Sequence, residues 1–441
     1  MVTEGGKWVR YVGNLCYIQY DCDKKDVRGE TVTEWRAGYE SVCTKLRAPA
    51  YEYIFKNLGM NDIPALVHAA DTWTEEGGRV FVLVKRLQVG KQGQITSRGN
   101  VHNDISNDER TRRLFIDNVS KMRNLTELVV TNEAISSSIV SLASNLPNLR
   151  ILSLEGVCIP GADVEMFTDD VQAQHVRLVN ICWHGRKRDG DVIRACKKLK
   201  TLEVSWDKKW KDVNDSCEKW SNVTCESMTI YSNRSAWSIA PAEQDDERRT
   251  LIAWLRLFKN TKSLHIRGWI PQFRDADAMQ DPLSNTMEEL VAPMRFLKLS
   301  RRLSNLKSIK VSDVGLKSGE VDETTLSVGR VTTMEVNVFT SDKEILCRML
   351  GALNNIRKLK VHICDDVIDT DDVLESVADM LDFNPPIEKL TITANDTLRT
   401  NITHEHFRKF KQLCGGLQHI EIGDRLWTIK QGAWNEQIGE C

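Results

Sequence analysis

Short apolar ribbons recur along this chain in the form L-x-x-L-x-L. Leu125-Thr126-Glu127-Leu128-Val129-Val130 has that form, and Leu149-Arg150-Ile151-Leu152-Ser153-Leu154 repeats it 24 positions later. With other apolar residues admitted, it recurs at Val84/Leu87/Val89, Val176/Val179/Ile181, Leu199/Leu202/Val204, Cys225/Met228/Ile230 and, more weakly, Thr261/Leu264/Ile266. Further copies fall at Leu306/Ile309/Val311, Val331/Met334/Val336, Ile356/Leu359/Val361, Ile387/Leu390/Ile392 and Leu417/Ile420/Ile422. Steps between middle residues are mostly 23 to 31, with three longer ones of 41 (Leu87 to Leu128), 36 (Met228 to Leu264) and 45 (Leu264 to Ile309). A single match is cheap, but a series at a near-constant step marks an internal repeat.

The x-L-x-L tail of each copy alternates with period two and predicts a short strand. Between copies the period becomes helical: Ile135, Ile139, Leu142 and Leu146 share one face, as do Val373, Val377, Met380 and Leu381, and Phe407, Phe410 and Leu413. Ser341-x-x-Glu344 reads as a capping box before Ile345 and Leu346. The unit is therefore strand, turn, helix, turn. It is too small to bury its apolar face alone, so stacked neighbours must share one continuous core.

These copies resemble leucine-rich repeats of the long, irregular kind. The resemblance implies an α/β fold: a solenoid over residues 81–441 with parallel inner strands and outer helices. The Asn or Cys expected shortly after the third apolar residue is mostly missing, Cys158 being a partial match, so the asparagine ladder of regular horseshoes is expected to be absent.

Residues 1–80 fall outside the repeat and are expected to form a small helical region. Val42-Cys43-Thr44-Lys45-Leu46-Arg47-Ala48-Pro49 reads as a short helix and a break, and a further helix start follows at Ile63-Pro64-Ala65-Leu66. This order resembles the end of an F-box and its bridge into the repeats, as in fungal-type F-box/leucine-rich-repeat proteins, where a Val-Cys-x-x-Leu/Trp segment closes the F-box. Residues 1–40 lack a Leu-Pro-x-Glu-like opening, so the resemblance is to a degenerate or truncated F-box. It implies docking on a Skp-type adaptor through Val42, Cys43, Leu46 and Pro49.

Composition narrows the function. The 441 residues are 41% hydrophobic and 28% charged, a globular balance. Sixty Lys+Arg against 62 Asp+Glu give a net charge of −2, which disfavours a globally basic nucleic-acid binder. No apolar stretch is long enough to span a membrane. The start carries no secretory pattern, so the 12 scattered cysteines are read as reduced thiols of an intracellular protein, cytoplasmic or nuclear. No Cys-x-x-Cys, P-loop, G-x-S-x-G or H-E-x-x-H is present, and no cofactor or metal site is expected. His362 and Cys364 alternate along one predicted strand, short of a metal site.

The chain is thus expected to be non-enzymatic and to recognise a protein. The polar positions of the strands are the candidate binding wall: Arg150, Ser153, Glu155, Glu203, Ser205, Thr229, Tyr231, His265, Arg267, Lys310, Glu335, Lys360 and His362, with Ser312, Asn337 and Glu421 in the same register. Their mixed signs suit a protein partner. Trp206 and Trp210, among the lysines of 198–211, are a candidate hot spot. The resemblance implies a substrate adaptor of a cullin–RING ubiquitin ligase. A scaffold or decoy that recruits no ligase is the alternative, and an enzyme or small-ligand receptor with its site in an insert near 205–245 or 270–295 is the alternative of another class.

Overall fold

The computed structural model describes residues 2–4, 7–12 and 15–19, then, with short internal breaks, 85–90, 119–131, 142–159, 171–183, 189–206, 223–232, 241–314, 330–365, 370–381, 386–394, 404–430 and 433–438. The chain divides into two compact units, residues 1–199 and 200–441. The boundary expected near residue 80 and the helices expected across 42–74 lie outside the described residues.

The first unit begins with β1 (Val2–Glu4), β2 (Lys7–Val12) and β3 (Leu15–Gln19), joined as a three-stranded antiparallel sheet. This corrects the helical expectation for those residues: Lys7-Trp8-Val9-Arg10-Tyr11-Val12 alternates with period two, which favours a strand. Next come β4 (Arg86–Gly90), β5 (Glu127–Thr131), β6 (Ile151–Glu155), β7 (Cys158–Ile159), β8 (His175–Val179), β9 (Cys182–Trp183) and α1 (Asp189–Ala195). β4, β5, β6 and β8 pair in parallel, placing Leu87, Leu128, Leu152 and Val176 in one row and Val89, Val130, Leu154 and Leu178 in the next.

In the second unit β10 (Thr201–Trp206) and β11 (Ser227–Ser232) precede α2 (Pro241–Leu255). Then follow β12 (Ser263–Gly268), β13 (Glu289–Ala292), a 3-10 helix over Met294–Arg302, β14 (Ser308–Val314) and β15 (Thr333–Val338). The last part holds α3 (Lys343–Ala352), β16 (Lys358–Ile363), α4 (Thr370–Met380), β17 (Lys389–Ala394), α5 (His404–Leu413), β18 (His419–Ile422), β19 (Arg425–Lys430) and β20 (Ala433–Ile438). β10 to β18 pair in parallel in chain order. Leu202, Met228, Leu264, Leu290, Ile309, Met334, Leu359, Leu390 and Ile420 form one buried row across them. β19 and β20 close the sheet as an antiparallel hairpin, and Trp427 and Trp434 pack on Phe407 of α5 with ring centroids 5.3 Å away in each case. The hairpin covers what would otherwise be an open parallel edge, as solenoid ends require. This is a leucine-rich-repeat-type α/β solenoid fold of parallel strands and intervening helices.

Two registers differ from the sequence reading. Val176 aligns with Leu152 and Leu178 with Leu154, so that copy is Ala173/Val176/Leu178 rather than Val176/Val179/Ile181. The 45-residue step conceals a copy at Met287/Leu290/Ala292, all buried, whose short third side chain hides it. Only a 3-10 helix links β13 to β14, and it still buries Met294, Phe296, Leu297 and Leu299. The steps of 41 and 36 hide no copy, since Leu87 neighbours Leu128 and Met228 neighbours Leu264 directly. Thr261 stands at an apolar position and is buried, its hydroxyl donating to the Phe258 carbonyl at 3.2 Å. The capping box at Ser341 is replaced by Asp342, whose carboxylate accepts the Phe339 N–H at 3.0 Å, while Glu344 pairs with Arg348 at 2.7 Å.

Among the described residues, side chains tie successive copies together ahead of the strands. The Asn148 amide donates to the Arg123 carbonyl at 2.9 Å and the Asn305 amide to the Asn285 carbonyl at 2.7 Å. Replacing Asn305 with Ala is expected to cost about 1 kcal/mol, the net worth of one such bond, read from the urea midpoint.

Among the described residues no helix is long and apolar enough to cross a membrane.

Candidate functional site

Strand alternation carries the apolar rows inward and leaves a polar face on the opposite side of the sheet. In residues 200–441 one row on this face reads Glu203, Thr229, His265, Val291, Lys310, Glu335, Lys360, Thr391 and Glu421. A second reads Ser205, Tyr231 and Arg267 on β10 to β12, and Asn337, His362 and Thr393 on β15 to β17. The structure thus brings together the sequence-predicted residues of this unit. Ser205 is only 9% exposed and contributes little to the surface. Ser312 sits in a register irregularity of β14, its hydroxyl 3.4 Å from the Ile266 carbonyl.

The face is organised by its own polar contacts. The Tyr231 hydroxyl donates to Glu203 Oε2 at 3.0 Å, and the Arg267 guanidinium lies 5.7 Å above the Tyr231 ring centre. Glu335 is held by Lys310 on one side and by Lys360, 3.4 Å away, on the other. Glu421 takes Lys389 at 3.0 Å and the Thr391 hydroxyl at 3.2 Å. His362 Nδ1 and Thr393 Oγ1 are 3.0 Å apart. Ser263, His265 and Glu289 adjoin, but the Ser263 hydroxyl donates to the Glu289 carboxylate at 2.8 Å while His265 Nε2 is 3.6 Å from the same oxygen. That order pairs no nucleophile with a base.

Partial burial would raise the Glu335 carboxyl, but the Lys310 hydrogen bond and charge, helped by Lys360, outweigh it and hold it below the usual range. A depressed folded-state pKa contributes stability above the unfolded value, about 4.3, and loses it as pH falls through the folded value. The stability difference between wild type and Glu335→Gln is therefore expected to be constant from neutral pH to about 5 and to shrink below about 4, in urea titrations at stepped pH.

In residues 1–199 the polar side of the strands carries Glu155 and Arg177, paired at 3.2 Å, and Arg86 and Glu127, paired at 3.0 Å. Ser153 is 9% exposed and largely shut off from a partner. Arg150 is corrected: it precedes β6, outside the strand, and its carbonyl accepts the N–H groups of Gln174 and His175. It belongs to a ladder in the turns with Lys85, Thr126 and Gln174. The second unit has an equivalent ladder, Lys200, Glu226, Lys262, Glu288, Lys307, Thr332, Arg357 and Glu388, with Lys307–Glu288 at 2.7 Å and Arg357–Glu388 at 3.0 Å. The sequence signal for it is the residue two before each middle apolar position, which carries charge more often than not.

Trp206 ends β10; Trp210 and the docking candidates Val42, Cys43, Leu46 and Pro49 lie outside the described residues. Cys364 lies one residue beyond the end of β16 and is buried. Among the described residues no group of three or more His, Cys, Asp or Glu side chains is placed to hold a metal.

Burial pushes the thiols of Cys196, Cys225 and Cys414 up to about 12. Cys225 occupies an apolar repeat position, which explains its depth. These three are expected to resist iodoacetamide in the folded protein and to react in urea, with half-buried Cys182 and Cys347 labelled before them; peptide mass mapping reads this directly.

Comparison with known proteins gives no matching family model, and no curated protein matches. Among solved structures, a crystal structure of a TLR13–ssRNA13 complex is similar at 15% identity with a TM-score of 0.37, covering 69% of this chain and 36% of that one. The chain therefore spans about a third of that protein's length.

Proposed function

We propose that this chain is a non-enzymatic recognition module that holds a protein partner on the polar face of its strands, inside the cell. The observation that carries this reading is the row from Glu203 to Glu421, held in one register across β10 to β18 with Val291 and Thr391 as its buried members. Parallel strands repeat about every 4.8 Å, so such a row presents side chains on a stiff, preset grid, and preset groups lose little freedom on binding. The charges pair with one another instead of converging on a point, which favours an extended protein surface over a small substrate.

The finer reading is that of a substrate adaptor. It is supported by the resemblance of Val42 to Pro49 to the closing segment of an F-box, and it assigns docking on a Skp-type subunit of a cullin–RING ligase to residues 1–80. The test is direct binding of a purified Skp-type adaptor to the full chain and to Leu46→Glu. Binding lost in Leu46→Glu but kept in Lys360→Glu supports the adaptor; no binding by the wild type removes it and leaves the scaffold or decoy reading.

A further inference from the structure

Most charges on the polar face of residues 200–441 are matched, but cations on β12 to β16 exceed their partners. Lys310 and Lys360 share one carboxylate, Glu335, leaving that trio one positive charge in excess. Glu335, held below the usual carboxylate range, stays ionised at neutral pH, so the excess is one charge and not two. Lys358 lies two residues before Lys360 on the same face of β16 and is exposed. Arg267, on the same face of β12, is exposed and stacked over Tyr231, whose hydroxyl is anchored on Glu203. Among the described residues no carboxylate pairs with Lys358 or Arg267.

Arg267, Lys310 and Lys358 lie on a diagonal, and Lys360 flanks it. Arg267 is fifth in its strand, Lys310 and Lys360 third in theirs, and Lys358 first. Four strand spacings and four residues of rise put the ends roughly 20–25 Å apart, the span of about seven extended residues. The Arg267 fork is set by the ring beneath it, so it can take a carboxylate without first being ordered.

We propose that this diagonal binds an acidic, extended segment of the protein partner, with carboxylates on Arg267, on the Lys310/Lys360 pair and on Lys358. This rests on the recognition reading above and adds the chemical class of the partner. Charge complementarity names the occupant: a segment rich in Glu or Asp gains at three separate points, while a basic one meets excess like charge at each.

The test uses the full chain and end-blocked, fluorescein-labelled octaglutamate, octalysine and Ser-Gly octapeptides, followed by anisotropy at two salt concentrations. Octaglutamate is expected to bind at least about tenfold tighter than either control and to weaken as salt rises. Arg267→Ala, Lys358→Ala and Lys360→Ala should each weaken it by about three- to tenfold, Arg267→Lys should restore only part of the loss, and Lys307→Ala, in the turn ladder, should stay within about twofold. Circular dichroism identifies any variant that fails to fold, and Lys358→Gln, a change at an exposed side chain, then carries the test. Octaglutamate binding no tighter than octalysine, or weakened as much by Lys307→Ala, overturns the proposal. If the Ser-Gly peptide binds equally and is lost in Tyr231→Ala, the acidic class falls while recognition by this face stands.

Discussion

Asp277→Ala is expected to destabilise residues 200–441 by about 3–5 kcal/mol, the cost of breaking a buried ion pair from one side. Arg248 of α2 and Asp277 are each 7% exposed at the side chain, with Arg248 Nε 3.1 Å from Asp277 Oδ2. The same carboxylate accepts the Arg274 N–H at 2.7 Å. Arg274 in turn grips both Asp245 oxygens, at 2.9 and 2.8 Å, and Arg248 reaches Asp245 at 3.0 Å. Truncating Asp277 leaves the Arg248 guanidinium out of water with the half-exposed Asp245 as its counter-charge among the described residues. Changing both partners to Leu removes the stranded charge along with the pair, so that double variant should recover to within about 2 kcal/mol of wild type. Urea unfolding of Arg248→Leu, Asp277→Leu and the double variant gives the cycle. Equal losses in Asp277→Ala and in the double variant would show that the cost comes from lost packing and not from an uncompensated charge.

That network also marks where the sequence stopped being legible. The repeat was readable because its apolar positions serve one purpose, burial between neighbours, and Leu128, Leu152, Leu202 and Leu359 do lie in buried strand rows. Register was readable wherever Leu, Ile or Val filled all three positions. It slipped by three residues around Val176, where Val171, Ala173, Val176, Leu178, Val179 and Ile181 offer more than one fit, and it missed Met287/Leu290/Ala292 because Ala is no hydrophobic signal. The buried Arg248 and Asp277 were invisible for the converse reason: charged residues read as surface, and only the tertiary pairing makes their burial affordable.

The candidate site divides in the same way. Alternation alone placed Glu203, Thr229, Tyr231, His265, Arg267, Lys310, Glu335, Lys360 and His362 on one polar face, as the register has them. It did not distinguish a strand position from the turn residue before it, which is why Arg150 belongs to the turn ladder. It gave no view of which charges neutralise each other. Glu335 serves two lysines because β14, β15 and β16 are neighbours in space, a relation that a list of polar positions does not contain.

Trp254→Ala is the other substitution with a large expected effect, about 3–5 kcal/mol. Trp254 is fully buried on α2, and its ring meets Phe258 at 4.8 Å between centroids. Leu251, Ile252 and Leu255 are buried beside it in sequence, so this one helix fills the core behind the 36-residue step between Met228 and Leu264. Its N-terminal half is polar and strapped by the Arg248 network, and its C-terminal half supplies the apolar volume. Losing the indole forfeits its transfer energy and leaves a cavity that close-packed neighbours fill only in part. Trp254→Phe keeps an aromatic and should cost less, about 1–2 kcal/mol, and Arg249→Ala, at an exposed position of the same helix, should stay within about 0.5. In a solenoid each copy is held by its neighbours, so a defect at α2 weakens the interfaces on both sides of it. Residual native protein, below the unfolding transition, should still bind the acidic probe with wild-type affinity, because Trp254 faces the core and not the polar rows. A loss under about 1 kcal/mol would mean that α2 is dispensable to the core and that β11 and β12 are held by their hydrogen bonds and by the adjoining copies.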